Sequence, residues 1–230
     1  MAMRAFLLLL GGAALLAAPG AADERPAAAG SGCAESVARR VQSHYDPVRD
    51  IAADFEQTTS VAALGSGPGG GEMRARGKVV FAKPGRMRWS YEEPEPSLLV
   101  TDGRSLWTYD PGLGEAQHLA VGEGFLSGAA IQFLLGEGEI LEAFRVEARD
   151  CQGERVALRL EPREPASYER LVLEVAAASG EVVATEVVDL FGNTTRVAFA
   201  NVRANTDPDP GVFRFEPPEG VRVIEVAPAR

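Results

Sequence analysis

Between Lys83 and Pro111 the chain reads KPGRMRWSYEEPEPSLLVTDGRSLWTYDP, and both of its tryptophans fall in this stretch at alternating positions. Side chains alternate across an extended strand, so Met87, Trp89 and Tyr91 share one face while Arg86, Arg88 and Ser90 share the other. One face is wide and apolar, the other wet. A corner from Pro94 to Pro96 then leads into Leu98 to Thr101, and Asp102-Gly103 turns the chain back into Leu106 to Tyr109. Extended segments separated by such turn residues predict a meander of antiparallel strands.

Similar segments continue on both sides. Val37, Val41 and Tyr45 recur every four residues and predict an amphipathic helix over 34–45, ending before Pro47. Alternation over 51–61 predicts a strand followed by a flexible hairpin connection, Gly65 to Gly71. After the meander come a strand at 115–121 and a short helix in which Leu126, Ala130, Phe133 and Leu134 fall at helical spacing between Ser127 and Gly136. Five further segments, 143–149, 155–161, 169–176, 182–190 and 195–200, are joined by Gly- or Pro-containing turns. Sequential hairpins with two helical segments predict a mainly β, α+β domain: a strongly curved antiparallel sheet whose concave face is covered by short helices.

The first 22 residues read as a secretory signal, with Arg4 as the charged start, Ala5 to Ala18 as the apolar core and a small-residue run to Ala22. That core is too short to cross a bilayer. Residues 23–32 read as a flexible leader and 33–230 as a single domain of the exported, soluble chain. With a net charge of −10, the chain is a poor partner for nucleic acid or anionic membranes. In an oxidising compartment Cys33 and Cys151 can bridge, closing a loop of over 100 residues worth about 4 to 5 kcal/mol in the chain-entropy model. The rival reading, Cys33 as a lipidated N-terminus, lacks the aliphatic residue expected three positions earlier, where Gly30 stands.

Enzyme signatures are sparse. There is no G-x-S-x-G, H-E-x-x-H, P-loop or dinucleotide-binding glycine pattern. His44 and His118 have no motif around them, and Glu92, Glu93 and Glu95 sit among prolines as a solvated loop. The run from Asn205 to Glu216 has a superficial calcium-loop spacing, but Pro210 replaces the glycine of the sharp turn, so it reads as a polar turn before a strand around Phe213. No metal and no cofactor are expected. Asn193-Thr194-Thr195 fits a glycan acceptor and, after Phe191-Gly192, also hairpin chemistry.

What remains is an apolar set: Phe55, Met87, Trp89, Tyr91, Leu99, Leu106, Phe125, Leu126, Ile131, Phe133, Leu134, Phe144 and Phe199. Residues of this kind by default fill a core. Methionine and large aromatics facing an apolar helix also suit an adaptable pocket, and alternation does not separate filled from hollow.

From about Asp54 to Val223 the motifs Phe55-x-Gln57, Gly77, Lys83-Pro84-Gly85, Arg88-Trp89-x-Tyr91, Pro94, Asp102-Gly103 and Leu106-Trp107-x-Tyr109-x-Pro111 follow in order. Asp189-x-x-Gly192-Asn193-x-Thr195, Phe199, Asn205, Phe213-x-Phe215 and Pro217-Pro218-x-Gly220-Val221 complete the series. Their order and spacing resemble the LolA family of periplasmic lipoprotein carriers. The resemblance implies an unclosed half-barrel with helices plugging its hollow. It implies an acyl-chain cavity lined by Phe55, Met87, Trp89, Tyr91, Leu99 and Leu106, under a lid helix that includes Leu126, Ile131, Phe133, Leu134 and Leu135. Lys83 falls where well-studied members have an arginine that latches the lid, and a lysine keeps the charge without the planar fork of donors. The implied function is that of a monomeric, non-enzymatic periplasmic chaperone. It would take acylated lipoproteins from an inner-membrane ABC releasing complex to an outer-membrane lipoprotein acceptor. The alternative is a similar fold acting as a lipid or lipoprotein sensor, a regulatory binding module.

Overall fold

The computed structural model describes residues 31–64, 71–120 and 138–226. Helix α1 (Ser31–Tyr45) starts three residues before the expected boundary, inside the segment read as leader. Ala34, Val37, Ala38, Val41 and Tyr45 lie on one stripe and are all at most 4% exposed, the spacing a helix needs to bury a single face. After Asp46-Pro47 the chain enters β1 (Asp50–Ser60), β2 (Glu72–Ala82) and β3 (Arg86–Glu93). The meander then gives β4 (Ser97–Thr101), β5 (Ser105–Asp110) and β6 (Glu115–Ala120). The second half comprises a one-turn helix α2 (Ile140–Ala143), β7 (Phe144–Ala148), β8 (Arg155–Pro162), β9 (Tyr168–Ala176), β10 (Val182–Asp189), β11 (Thr194–Ala204) and β12 (Arg222–Val226). The expected lid helix and its residues Leu126, Ile131, Phe133, Leu134 and Leu135 lie outside the described residues, as do the signal segment and most of the Gly65 to Gly71 connection.

The twelve strands among the described residues form one curved, unclosed sheet in the order β12-β6-β5-β4-β3-β2-β1-β11-β10-β9-β8-β7. Every pairing is antiparallel except β12 with β6, which is parallel. The parallel edge has a simple cause. Beyond β11 the chain does not form the expected strand around Phe213; Pro210–Phe213 is a 3-10 turn, and the segment crosses the outer face before β12 reaches the edge. Two prolines and the left-handed Asn205 and Asp207 (φ 56° and 53°) keep the chain from continuing the ladder.

Asp50 anchors this departure. Its carboxylate, 5% exposed, accepts bonds from the Thr206 amide (2.6 Å), the Thr206 hydroxyl (2.8 Å) and the Asp207 amide (3.2 Å). Burial pushes the Asp50 carboxyl up, but these bonds and Arg49 outweigh it and hold the pKa below the ordinary value. On the outer face, Phe213 lies 5.1 Å beneath the Arg86 guanidinium, Arg88 donates to the Val212 carbonyl, and Phe215 packs against Trp107 and Tyr109. Trp107 and Trp89 therefore sit on opposite sides of the sheet.

The main core is on the inner face. It runs from Val156, Leu158 and Leu160 through Leu171, Leu173 and Val175 to Phe55, Val79, Phe81 and Trp89, with α1 contributing Val37, Val41 and Tyr45. Cys33 and Cys151 are joined by a disulfide, Cα to Cα 6.4 Å across 118 residues, tying the start of α1 to the turn before β8. The Tyr45 hydroxyl accepts from the Val182 amide at 3.1 Å, and burial pushes its pKa up to about 12, so it stays a neutral phenol.

Candidate functional site

Strand registers assemble the inner face directly. Trp89 stands opposite Val79 on one side and Leu99 on the other, Leu99 opposite Thr108, and Thr108 opposite Gln117. Directly opposed residues point to the same side, so the row passes from aromatic through aliphatic to polar toward the sheet edge. The row below it holds Phe81, Met87, Thr101, Leu106 and Leu119; the row above holds Gly77, Tyr91 and Ser97. The six expected lining residues, Phe55, Met87, Trp89, Tyr91, Leu99 and Leu106, thus share one face across four strands.

They do not share one environment. Phe55, Met87 and Trp89 are buried, at 2%, 7% and 8% exposure, inside the continuous apolar cluster, with Tyr91 and Leu99 packed against it. Phe55 is the hub: its ring centroid is 4.7 Å from Trp89 and 5.2 Å from Tyr91, and Trp89 in turn is 5.7 Å from Phe81. Tilted and edge-on aromatic contacts of this kind add to area burial. Space opens beyond this cluster. A pocket of about 320 Å³ is bounded in part by Tyr91, Leu99, Thr108, Gln117 and the carboxylates Asp110 and Glu115, where the apolar row gives way to polar and charged groups. Leu106 lies on the same face, half-exposed, outside that pocket.

Two polar features flank the aromatic cluster. The Tyr91 hydroxyl donates to Gln57 Oε1 at 3.0 Å, and burial raises its pKa, so the donor is retained. Trp89 Nε1 is different: it is buried and has no hydrogen-bond partner among the described residues.

Lys83 lies at the other end of β2. Its Nζ donates to the backbone carbonyls of Tyr45 (2.8 Å), which also accepts from the Val48 amide, and Asp46 (3.3 Å), at and just beyond the C-terminus of α1. Burial lowers the ammonium pKa. Its described partners are thus the end of α1, and the residues of the expected lid lie outside the described set.

Sequence reasoning missed Val79 and Phe81 on β2 and Thr108 and Gln117 at the pocket. The first pair was detectable by alternation in 77–81; the second was not, because a polar residue opposite Leu99 is recognisable only once β4, β5 and β6 are in register. Among the described residues no group of three or more His, Cys, Asp or Glu could hold a metal, and no helix is long and apolar enough to cross a membrane.

An open sheet with an apolar inner face and a partly polar pocket toward its edge defines an unclosed half-barrel. Residues 46–216 match the family described as outer membrane lipoprotein carrier protein LolA, and the chain belongs to that family. An outer-membrane lipoprotein carrier protein of Alkalilimnicola ehrlichii is 34% identical over 202 residues, 86% of this chain and 88% of that protein. The Chromobacterium violaceum protein of the same description is 29% identical over 189 residues, 82% of this chain and 87% of its own length. Among solved structures, a LolA superfamily protein from Nitrosomonas europaea superposes with a TM-score of 0.45 at 12% identity, covering 79% of this chain and 97% of that one.

Proposed function

We propose that this protein is a periplasmic carrier that shelters the acyl chains of lipoproteins against its inner face. It would receive them from an inner-membrane ABC releasing complex and pass them to an outer-membrane acceptor, making and breaking no covalent bond. The observation that supports this reading is the continuous apolar face from Phe55 to Leu99 on a sheet that does not close, with space beginning at its edge.

The physical need is plain. Each acyl methylene exposed to water costs about 0.8 kcal/mol, so a lipid-anchored N-terminus with dozens of them does not cross water unescorted. A pocket of about 320 Å³ is at the small end of ligand sites, so acyl chains enter as the apolar packing around Phe55 and Trp89 loosens. Lost packing in that step offsets part of the transfer energy and keeps binding weak enough for release. In this reading Lys83, seated at the end of α1, helps hold the closed form, and Leu126, Ile131, Phe133, Leu134 and Leu135 supply the lid.

The test is binding of a fluorescent dipalmitoyl lipopeptide to the wild type and to Leu99→Glu. Leu99 is half-buried beside the pocket, so a carboxylate there leaves the fold intact, as circular dichroism would check, while charging the acyl path. Affinity should fall at least about tenfold, because a charge in an apolar site is left without a partner. Equal affinity of the two proteins would refute the assignment of this face.

A further inference from the structure

We propose that the Trp89 indole N–H is a donor for the ester carbonyl of the bound acyl group, so that this site selects acyl esters over hydrocarbon of the same length. The inference rests on the acyl-binding reading above and adds a chemical preference to it.

Three other polar side chains on this face have local partners. Tyr91 gives its hydroxyl proton to Gln57 Oε1, Gln57 Nε2 donates to Thr59, and Thr101 Oγ1 accepts from the Gly103 amide. Trp89 Nε1 stands apart as a donor buried on the inner face with no partner among the described residues, on a residue only 8% exposed. Indole nitrogen is a donor only, so an acceptor must come to it. Its surroundings are Phe55, Phe81, Val79 and Leu99, none of which carries a side-chain acceptor. A buried donor left unpaired is costly, and tryptophan normally buries its ring with the N–H paired. Phenylalanine would fill much of the same volume without that cost.

A glyceryl ester meets the requirement. It brings a carbonyl oxygen, an acceptor without a proton, attached directly to the hydrocarbon that the neighbouring rings would cover. Trp89 faces Leu99 across β3 and β4, and Leu99 faces the pocket that begins at Thr108 and Gln117. A chain bound with its carbonyl at Trp89 therefore places its methylenes among Phe55 and Phe81 and its more polar glyceryl end toward the polar pocket of Thr108, Gln117, Asp110 and Glu115. Because the free protein already bears the unpaired donor, the carbonyl gains a hydrogen bond without displacing one.

The experiment uses the full mature chain and two probes of equal chain length: a dipalmitoyl lipopeptide and its dihexadecyl ether analogue, which lacks both carbonyls. The wild type should bind the ester about tenfold more tightly than the ether, and Trp89→Phe should bind the two within about twofold of each other. A ratio that persists in Trp89→Phe, or a wild type that binds both probes equally, would overturn the proposal while leaving acyl binding intact. A wild type that binds neither probe would overturn both readings. Should Trp89→Phe fail to fold, the indole proton of Trp89 in the 15N-labelled Trp107→Phe protein gives the same answer. It should shift downfield on addition of the ester and not of the ether; an identical response to both would refute the contact.

Discussion

Gly77 is where the aromatic cluster depends on an absent side chain, and replacing it by alanine measures that dependence. It lies opposite Phe55 on β1 and Tyr91 on β3. A Cβ built there falls 2.0 Å from the Ser90 carbonyl oxygen and 3.0 Å from the edge of the Phe55 ring, against the 3.4 Å of an ordinary contact. The Ser90 oxygen is backbone and does not swing away as a side chain would, so β2 and β3 must part by more than an ångström. Overpacking of this kind costs about 1–3 kcal/mol, and each ladder hydrogen bond lost with it about 1 kcal/mol more. Alanine recovers about 0.5–1 kcal/mol of strand entropy, leaving Gly77→Ala about 2–3 kcal/mol less stable than the wild type. For a chain of this size that lowers the melting temperature by roughly 5–10 °C. Urea unfolding followed by far-ultraviolet circular dichroism reads the difference. Gly32→Ala, whose Cβ meets nothing within 4 Å, serves as the control and should not be destabilised. If Gly77→Ala unfolds within about 0.5 kcal/mol of wild type, the close approach of β2 and β3 does not organise the cluster and the argument fails.

Two further outcomes follow from the periphery of the sheet. Cys33→Ser with Cys151→Ser opens a cross-link across 118 residues and should lower unfolding free energy by about 4–5 kcal/mol in the chain-entropy model, with addition of reductant to the wild type giving the same loss; a change below about 1 kcal/mol would show that the unfolded chain is already constrained. Asp50 has a folded pKa below its unfolded one, so its stabilising contribution is complete above the ordinary carboxylate value near 4 and is lost as pH falls through the depressed folded value. Asp50→Asn should therefore be about 2 kcal/mol less stable at pH 7 and show a shallower loss of stability below pH 4, and parallel acid profiles of the two proteins would exclude this carboxylate as the cause.

Much of the inner face was readable from alternation. Met87, Trp89 and Tyr91 fall on one side of β3 because the period of a strand is two, whatever the strand packs against. The amphipathic stripe of α1 was equally plain, since Val37, Val41 and Tyr45 at four-residue spacing permit only one buried side. The polar Asn205 to Pro210 segment was recognised as a turn, but not its role: the ligands it supplies to Asp50 come from more than 150 positions away in the chain. For the same reason the parallel β12 was invisible, because nothing local to Arg222–Val226 specifies β6 as its neighbour.

Local order in the chain, then, determined the strands of the meander, the helix that covers part of the sheet, and the motif series that places the protein among the LolA carriers. Tertiary structure alone decided that the two tryptophans lie on opposite faces of the sheet, that space opens beside Leu99, and that Lys83 meets the end of α1. The division has a physical cause: alternation and capping are set by neighbours a few residues apart, whereas register, burial and an unpaired indole nitrogen depend on which distant backbones are brought side by side.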